Sequence, residues 1–215
     1  MATAMKLSEI LEPLRTEIES DDVVREKTLP LSRSAVRRCS ESIKETHRGN
    51  FEMASQLLSE ARDIIQNALT EMKASDFMSR SRSLDVAFQE LAEASNLLSL
   101  LKDGVFTLPQ QYDIPARAYL TGLADTVGEL RRAVLDSIRQ EKVDRAVTLL
   151  GFMEEIFDEI QTFDFPNALI PDLRRKCDVA RSIIERTRGS ITSAIQQEKL
   201  VRELRGLEDR MSGNR

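Results

Sequence analysis

The chain has 215 residues, a formal net charge of −5, one histidine, two cysteines and no tryptophan. Its length suits a domain with a sizeable core, while 5% aromatic residues and eight glycines supply few of the signals that β-strands need. The lone His47 excludes zinc motifs, Ser-His-Asp and Cys-His catalysis and a di-iron bundle, and no phosphate loop or nucleophile elbow appears, so any chemistry rests on carboxylates.

Met1–Ile10 lacks a signal-peptide core, and no apolar run is long enough to span a bilayer. A soluble, cytoplasmic chain without a membrane partner is expected. From Met5 to Ser20, Leu7, Ile10, Leu11, Leu14 and Ile18 fall on one side of a short helix, with Pro13 near a kink. Ser20-Asp21-Asp22 then reads as the cap of a longer helix to about Arg48, bent or restarted at Pro30. That helix is basic. Arg33, Arg37 and Lys44 recur at spacings of four and seven and share a face, with Arg38 beside them. They form either a solvated face balanced by Glu26, Glu41 and Glu45 or a strip that follows nucleic-acid phosphates. Cys39 here and Cys177 near the end lack metal-ligand spacing and read as reduced core or interface residues.

Gly49-Asn50 terminates this helix. The next, Phe51 to about Ala74, is expected to bury Met53, Leu57, Leu58, Ala61, Ile64, Ile65, Ala68, Leu69 and Met72. Ser75 to Ser83, with Arg80 and Arg82, is a loop or the first turns of a helix ending near Leu101. Leu84, Ala87, Phe88, Leu91, Leu98 and Leu101 make the main stripe of that helix. Glu90 and Glu93, one turn apart, interrupt a second stripe of Val86, Leu97 and Leu100.

Asp103-Gly104 opens a loop pinned by Phe106, Leu108, Tyr112 and Ile114. Pro115 suits the first turn of a helix to about Gln140. Leu120, Leu123, Val127, Leu130, Val134 and Ile138 form its apolar face. The opposite face carries Asp125 and Glu129 with Ala118, Thr121, Gly122, Gly128 and Arg132. An interior glycine costs roughly 0.8–1 kcal/mol against alanine, so the small residues predict close approach by a helix or ligand. Arg132 orients a carboxylate through an ion pair or touches phosphate, the first being preferred.

Asp144 to Phe163 reads as an amphipathic helix with Val147, Leu150, Met153, Phe157 and Ile160 inward. Its dense Glu154, Glu155, Asp158 and Glu159 read as a solvated face. Phe163-Asp-Phe-Pro166 breaks the chain. Pro171 starts a last helix striped by Leu173, Cys177, Ala180, Ile184, Thr187 and Ile191, which dilutes after about Gln196 into a charged, frayed tail over 197–215.

A single acid pair at helical spacing is usually a solvated face. The apolar and glycine settings of Glu90/Glu93 and Asp125/Glu129 bring a second reading level with it. Four carboxylates in a partly buried place repel one another and lose solvation. A divalent cation relieves both costs, and hard oxygen donors suit Mg²⁺ or Mn²⁺.

Gln89-Glu-Leu-Ala-Glu-Ala94, and Tyr119-Leu-Thr-Gly-Leu-Ala-Asp125 continuing through Gly128-Glu-Leu130 and Arg132, resemble the translin family, closer to its translin-associated factor X branch. The similarity runs from about Val24 to about Ile191. It implies an all-α, single-domain antiparallel bundle of six to seven helices over 1–215. In that branch the acids matching Glu90, Glu93, Asp125 and Glu129 form the metal-dependent ribonuclease site, with Mg²⁺ or Mn²⁺ as cofactor. Translin itself lacks the paired glutamates. The resemblance further implies RNA, and secondarily single-stranded DNA, as partner, with phosphate contacts from Arg33, Arg37, Arg38, Lys44 and Arg132. It implies a homo-oligomer, an octameric shell, with a translin-like subunit as a further partner. The negative net charge is awkward for a nucleic-acid binder, but charge acts locally. Two rivals stand beside the endoribonuclease: a non-catalytic RNA- or DNA-binding protein, and an all-α nucleoside triphosphate pyrophosphohydrolase. The Glu93-to-Asp125 interval and the Asp-x-x-x-Glu spacing fit the last less well.

Overall fold

The computed structural model describes residues 6–212. The expected helix start at Met5 and the last three residues of the charged tail lie outside the described residues. Among those described, seven α-helices and one 3₁₀ turn occur and no strand. They are α1 (Leu7–Arg48), α2 (Phe51–Met72), α3 (Asp76–Ser79), α4 (Asp85–Lys102), α5 (Ala116–Arg139), α6 (Val143–Ile160) and α7 (Leu173–Ser212), with the 3₁₀ turn at Pro109–Tyr112. No helix among the described residues is long and apolar enough to cross a membrane. The protein is all-α and divides into two compact units, Met1–Tyr119 and Leu120–Arg215.

The first unit is built on an α1–α2 hairpin. Gly49 turns the chain at φ 81°, a left-handed conformation that glycine adopts without a Cβ penalty. Below the turn, α1 offers Ala35, Cys39, Ser42 and Thr46 and α2 offers Ala54, Ala61 and Ala68, all buried. Such small residues let two helices approach closely, and the Ser42 hydroxyl donates to the Ala54 carbonyl at 2.8 Å. Alpha4 is the interior helix of this unit, with Ala87, Leu91, Ala92, Ala94, Asn96 and Leu97 fully buried. Truncating a leucine so enclosed, such as Leu91, to alanine costs about 2–5 kcal/mol.

Alpha1 is one continuous helix of 42 residues, with Pro13 and Pro30 inside it. The break expected at Ser20–Asp22 is absent because Asp21 serves elsewhere: its carboxylate accepts the Ser75 hydroxyl at 2.5 Å. The Ser75 oxygen in turn accepts the Met78 N–H at 2.9 Å and caps α3. Each proline removes one ladder hydrogen bond and crowds the carbonyl one turn back, and around Pro30 the buried Val24, Thr28, Ser32 and Ala35 hold the axis against its neighbours. Three apolar positions of this unit also differ from expectation, since Met53 is 51%, Val86 59% and Leu108 69% exposed. All three stand at element starts, where few neighbours surround a side chain.

The loop after α4 is held by the buried Ile114, with Phe106 and Tyr112 half-buried, and by polar groups. Asn96 Oδ1 accepts the Thr107 N–H at 3.1 Å, the Thr107 hydroxyl donates to the Ser95 carbonyl at 3.0 Å, and the Tyr119 hydroxyl donates to the Thr107 carbonyl at 2.6 Å.

In the second unit Val127, Leu130 and Val134 of α5 are fully buried. Alpha6 buries Ala146, Leu149, Met153, Ile156 and Ile160 and leaves Val147 47% exposed. The inward face is thus rotated from the expected stripe: Ala146, Leu149 and Ile156 take the buried places expected of Val147, Leu150 and Phe157, while Met153 and Ile160 are buried as expected. Alpha7 buries Leu173, Ala180, Ile184, Thr187 and Ile191 as expected. It then stays helical to Ser212, past the dilution at Gln196. Its exposed turns use good helix formers with a pair such as Arg202–Glu198 at 3.0 Å (i,i+4), which supports a helix without burial. Alpha6 and α7 are laced by Arg188–Glu154 at 2.7 Å and by the Arg181 guanidinium 5.3 Å from the Phe157 ring centroid.

Candidate functional site

Glu90 and Glu93 are half-buried on α4, amid the buried Leu91, Ala92 and Ala94. Their setting is visible through Cys39 of α1. Burial pushes that thiol far above its ordinary value, and the charges of Glu90 and then Glu93 add to the rise. Both carboxylates therefore lie close enough to α1 for their field to reach the Cys39 sulfur. A neutral buried thiol is a poor metal ligand, so the chemistry of this corner belongs to oxygen.

Asp125 and Glu129 sit on α5 between the buried Ala124, Thr126, Val127 and Leu130. Their side chains are 26% and 27% exposed. Alanine, threonine and glycine do line this face, with Ala118, Thr121 and Gly122 buried. At Gly128, however, a Cβ would meet nothing within 4 Å among the described residues, so no close approach there requires the glycine. Asp125 accepts from Lys176 of α7, whose Nζ lies 2.6 Å from both carboxylate oxygens. Sequence reasoning missed Lys176. Its only signal was position: it follows Leu173 by three and precedes Ala180 by four, on the inward stripe of α7. Arg132 approaches Glu129 at 3.7 Å and remains 55% exposed, a loose pair that leaves its guanidinium accessible.

The basic residues of α1 divide in two. Arg33, Arg37 and Lys44 are exposed, and none has an ion-pair partner among the described residues. Arg38 is instead held between Glu41 at 2.7 Å and Glu60 at 3.2 Å. The acidic face of α6 is exposed at Glu155, Asp158 and Glu159, as expected of a solvated face.

Residues 20–187 match the Translin family. The chain belongs to the translin family. An uncharacterized protein of Methanocaldococcus jannaschii is 29% identical over 192 residues, covering 89% of this chain and 85% of that protein. Among solved structures, AfC3PO superposes with a TM-score of 0.79 at 31% identity, covering 87% of this chain and 97% of that one. AfC3PO in complex with duplex RNA gives 0.77 at 32% identity, with the same coverage of 87% and 97%. Apo-NeC3PO, at 19% identity, 89% and 100% coverage and a TM-score of 0.76, shares the fold.

The donor chemistry of this translin-family chain suits a hard divalent ion, since every candidate ligand is a carboxylate. Lys176 marks one of them as a cation-holding group already. Among the described residues no three His, Cys, Asp or Glu side chains are gathered as a ready-made cage.

Proposed function

We propose that this protein is a metal-dependent endoribonuclease of the translin-associated factor X type, acting on single-stranded or nicked RNA, with Glu90, Glu93, Asp125 and Glu129 as its acidic set. The observation that carries the reading is the burial pattern. All four carboxylates are half-buried on helices whose adjoining positions are core, whereas Glu155, Asp158 and Glu159 of the solvated α6 face are exposed. The family membership and the duplex-RNA complex of a relative 32% identical support the choice of RNA.

Bound by these carboxylates, Mg²⁺ or Mn²⁺ would supply Lewis acidity toward a phosphate oxygen and an acidified water. The remaining work falls to the protein's own groups. A carboxylate oxygen left free of metal accepts the proton of the attacking water. Arg33, Arg37 and Lys44 give an exposed cationic row that holds successive phosphates, with Arg38 contributing less because two glutamates already engage it.

Self-association belongs to the same proposal. Leu7, Leu11, Leu14 and Ile18 of α1 are exposed at spacings of four, three and four, and so are Leu200, Leu204, Leu207 and Met211 of α7. That spacing is the seam pattern of packed helices, and two such seams suit a homo-oligomer of the octameric-shell kind.

Labelled single-stranded RNA incubated with pure protein in Mg²⁺ or in chelator tests the reading. Cleavage is expected in Mg²⁺ alone. Glu93→Ala is expected to abolish it while RNA binding and oligomer size persist. Mg²⁺-dependent cleavage surviving in pure Glu93→Ala protein would remove this set from catalysis. A second reading, a translin-like protein that grips RNA or DNA without cutting, draws on the Lys176–Asp125 pair, which neutralises one acid without metal. Binding with no Mg²⁺-dependent cleavage in the wild type would select it.

A further inference from the structure

Lys176 is an unusual lysine. It lies on the inward stripe of α7 between Leu173 and Ala180, and its side chain is only 14% exposed. The helix start beneath it is pinned. The Asp172 N–H donates to Asn167 Oδ1 at 2.9 Å, and the Lys176 N–H donates to the Asp172 carbonyl at 2.9 Å. The ammonium then reaches α5 and donates to Oδ1 and Oδ2 of Asp125, each at 2.6 Å. An ammonium taken this far from water must be paired, and charge-assisted hydrogen bonds of this length are the strong kind.

We propose that Lys176 is the resident counter-cation of Asp125 and sets the metal concentration at which the acidic site fills. The inference rests on reading Asp125 as a metal ligand. In the metal-free protein Lys176 holds the carboxylate in place and cancels its charge. A divalent ion can take Asp125 only if the ammonium yields at least one of the two oxygens, and the two cations also repel each other across the shared carboxylate. Lys176 is thus a positioning residue that stops the site from filling until the metal concentration is high enough to compete.

Mn²⁺ binding to the full chain, followed by the loss of the free-ion electron paramagnetic resonance signal, tests this in wild type, Lys176→Met, Lys176→Arg and Asp125→Asn. Methionine keeps the apolar stem and removes the charge. Lys176→Met is expected to bind Mn²⁺ about tenfold more tightly, the scale of one charge-assisted hydrogen bond, and Lys176→Arg to stay near wild type. Unchanged or weaker binding in folded Lys176→Met overturns the proposal. The wild type gives an independent measure. Acetylation of Lys176 by acetic anhydride, resolved by peptide mass, is expected to quicken several-fold when Mn²⁺ is added, and an unchanged rate counts against the exchange. Asp125→Asn separates the two layers. If it binds Mn²⁺ like wild type, Asp125 is no ligand and the underlying reading fails. If it loses binding while Lys176→Met changes nothing, only the counter-cation fails.

Discussion

The side-chain oxygen of Asn96, fully buried in α4, accepts the backbone N–H of Thr107 eleven residues on, at 3.1 Å. Its amide nitrogen donates to the Ala92 carbonyl at 2.9 Å, so one side chain ties the helix to the loop that leads into α5. Asn96→Ala leaves the Thr107 N–H buried and unpaired, a loss of about 1–3 kcal/mol. Urea unfolding is expected to show a lower midpoint with an unchanged slope. Asn96→Asp, which cannot donate to Ala92, is expected to fare no better.

Cys39 yields a prediction about pH. Its thiol is pushed far above the ordinary 9.0, first by burial and then by Glu90 and Glu93, and burial also raises Tyr112 and Tyr119 from 10.0. An acid whose pKa is higher folded than unfolded releases its proton more readily in the unfolded chain. The stability it contributes is whole below the unfolded value and declines as pH rises past it. Stability measured by urea titration is therefore expected to fall progressively above about pH 9. Cys39→Ala is expected to flatten the first part of that decline. A disulfide-exchange reagent at pH 8 should modify Cys177, which is half-buried, well before Cys39.

The three accessible cations of α1 predict a salt signature. Removing one phosphate-binding cation lowers the slope of log affinity against log salt by roughly 0.7 for single strands. Arg33→Ala, Arg37→Ala and Lys44→Ala are each expected to weaken RNA binding and to flatten that slope by about this amount. Arg38→Ala is expected to leave the slope near wild type and to cost at most about 1 kcal/mol of stability, as half-exposed ion pairs do. Fluorescence anisotropy at several salt concentrations distinguishes the two groups.

The exposed seams predict how assembly is broken. Leu204→Glu places a charge in the α7 seam and Leu14→Glu in the α1 seam, each at a residue about half exposed in the single chain. Folding of the chain should be indifferent to both, since neither side chain is core. Light scattering behind size exclusion is expected to show smaller particles for each, with helicity by circular dichroism unchanged. Full-size particles in both variants would show that these stripes are not the seams.

Much of this protein was written in periodicity. Leucine, alanine and isoleucine at helical spacing identify α2, α4, α5 and α7, Gly49 marks the first turn, and the acid pairs stand out because charge interrupts an apolar stripe. These signals are local. They arise within one or two turns and hold whatever the rest of the chain does. The readings that failed depended on neighbours distant in sequence. Ser20–Asp22 resembled a cap, yet Asp21 is claimed by Ser75, and the face that α6 buries was turned by what packs against it. Lys176 shows the limit most plainly. A lysine on an inward stripe reads as a register slip until Asp125, 51 residues away, is seen to hold its charge. The all-helical class, the helices α2, α4, α5, α6 and α7 and the candidate acids were legible in the sequence alone, because backbone hydrogen bonding and hydrophobic spacing act nearby along the chain. Which charges meet, which cations stay free and which polar groups are buried was decided only by the tertiary structure, because electrostatic pairing and desolvation depend on distance through space.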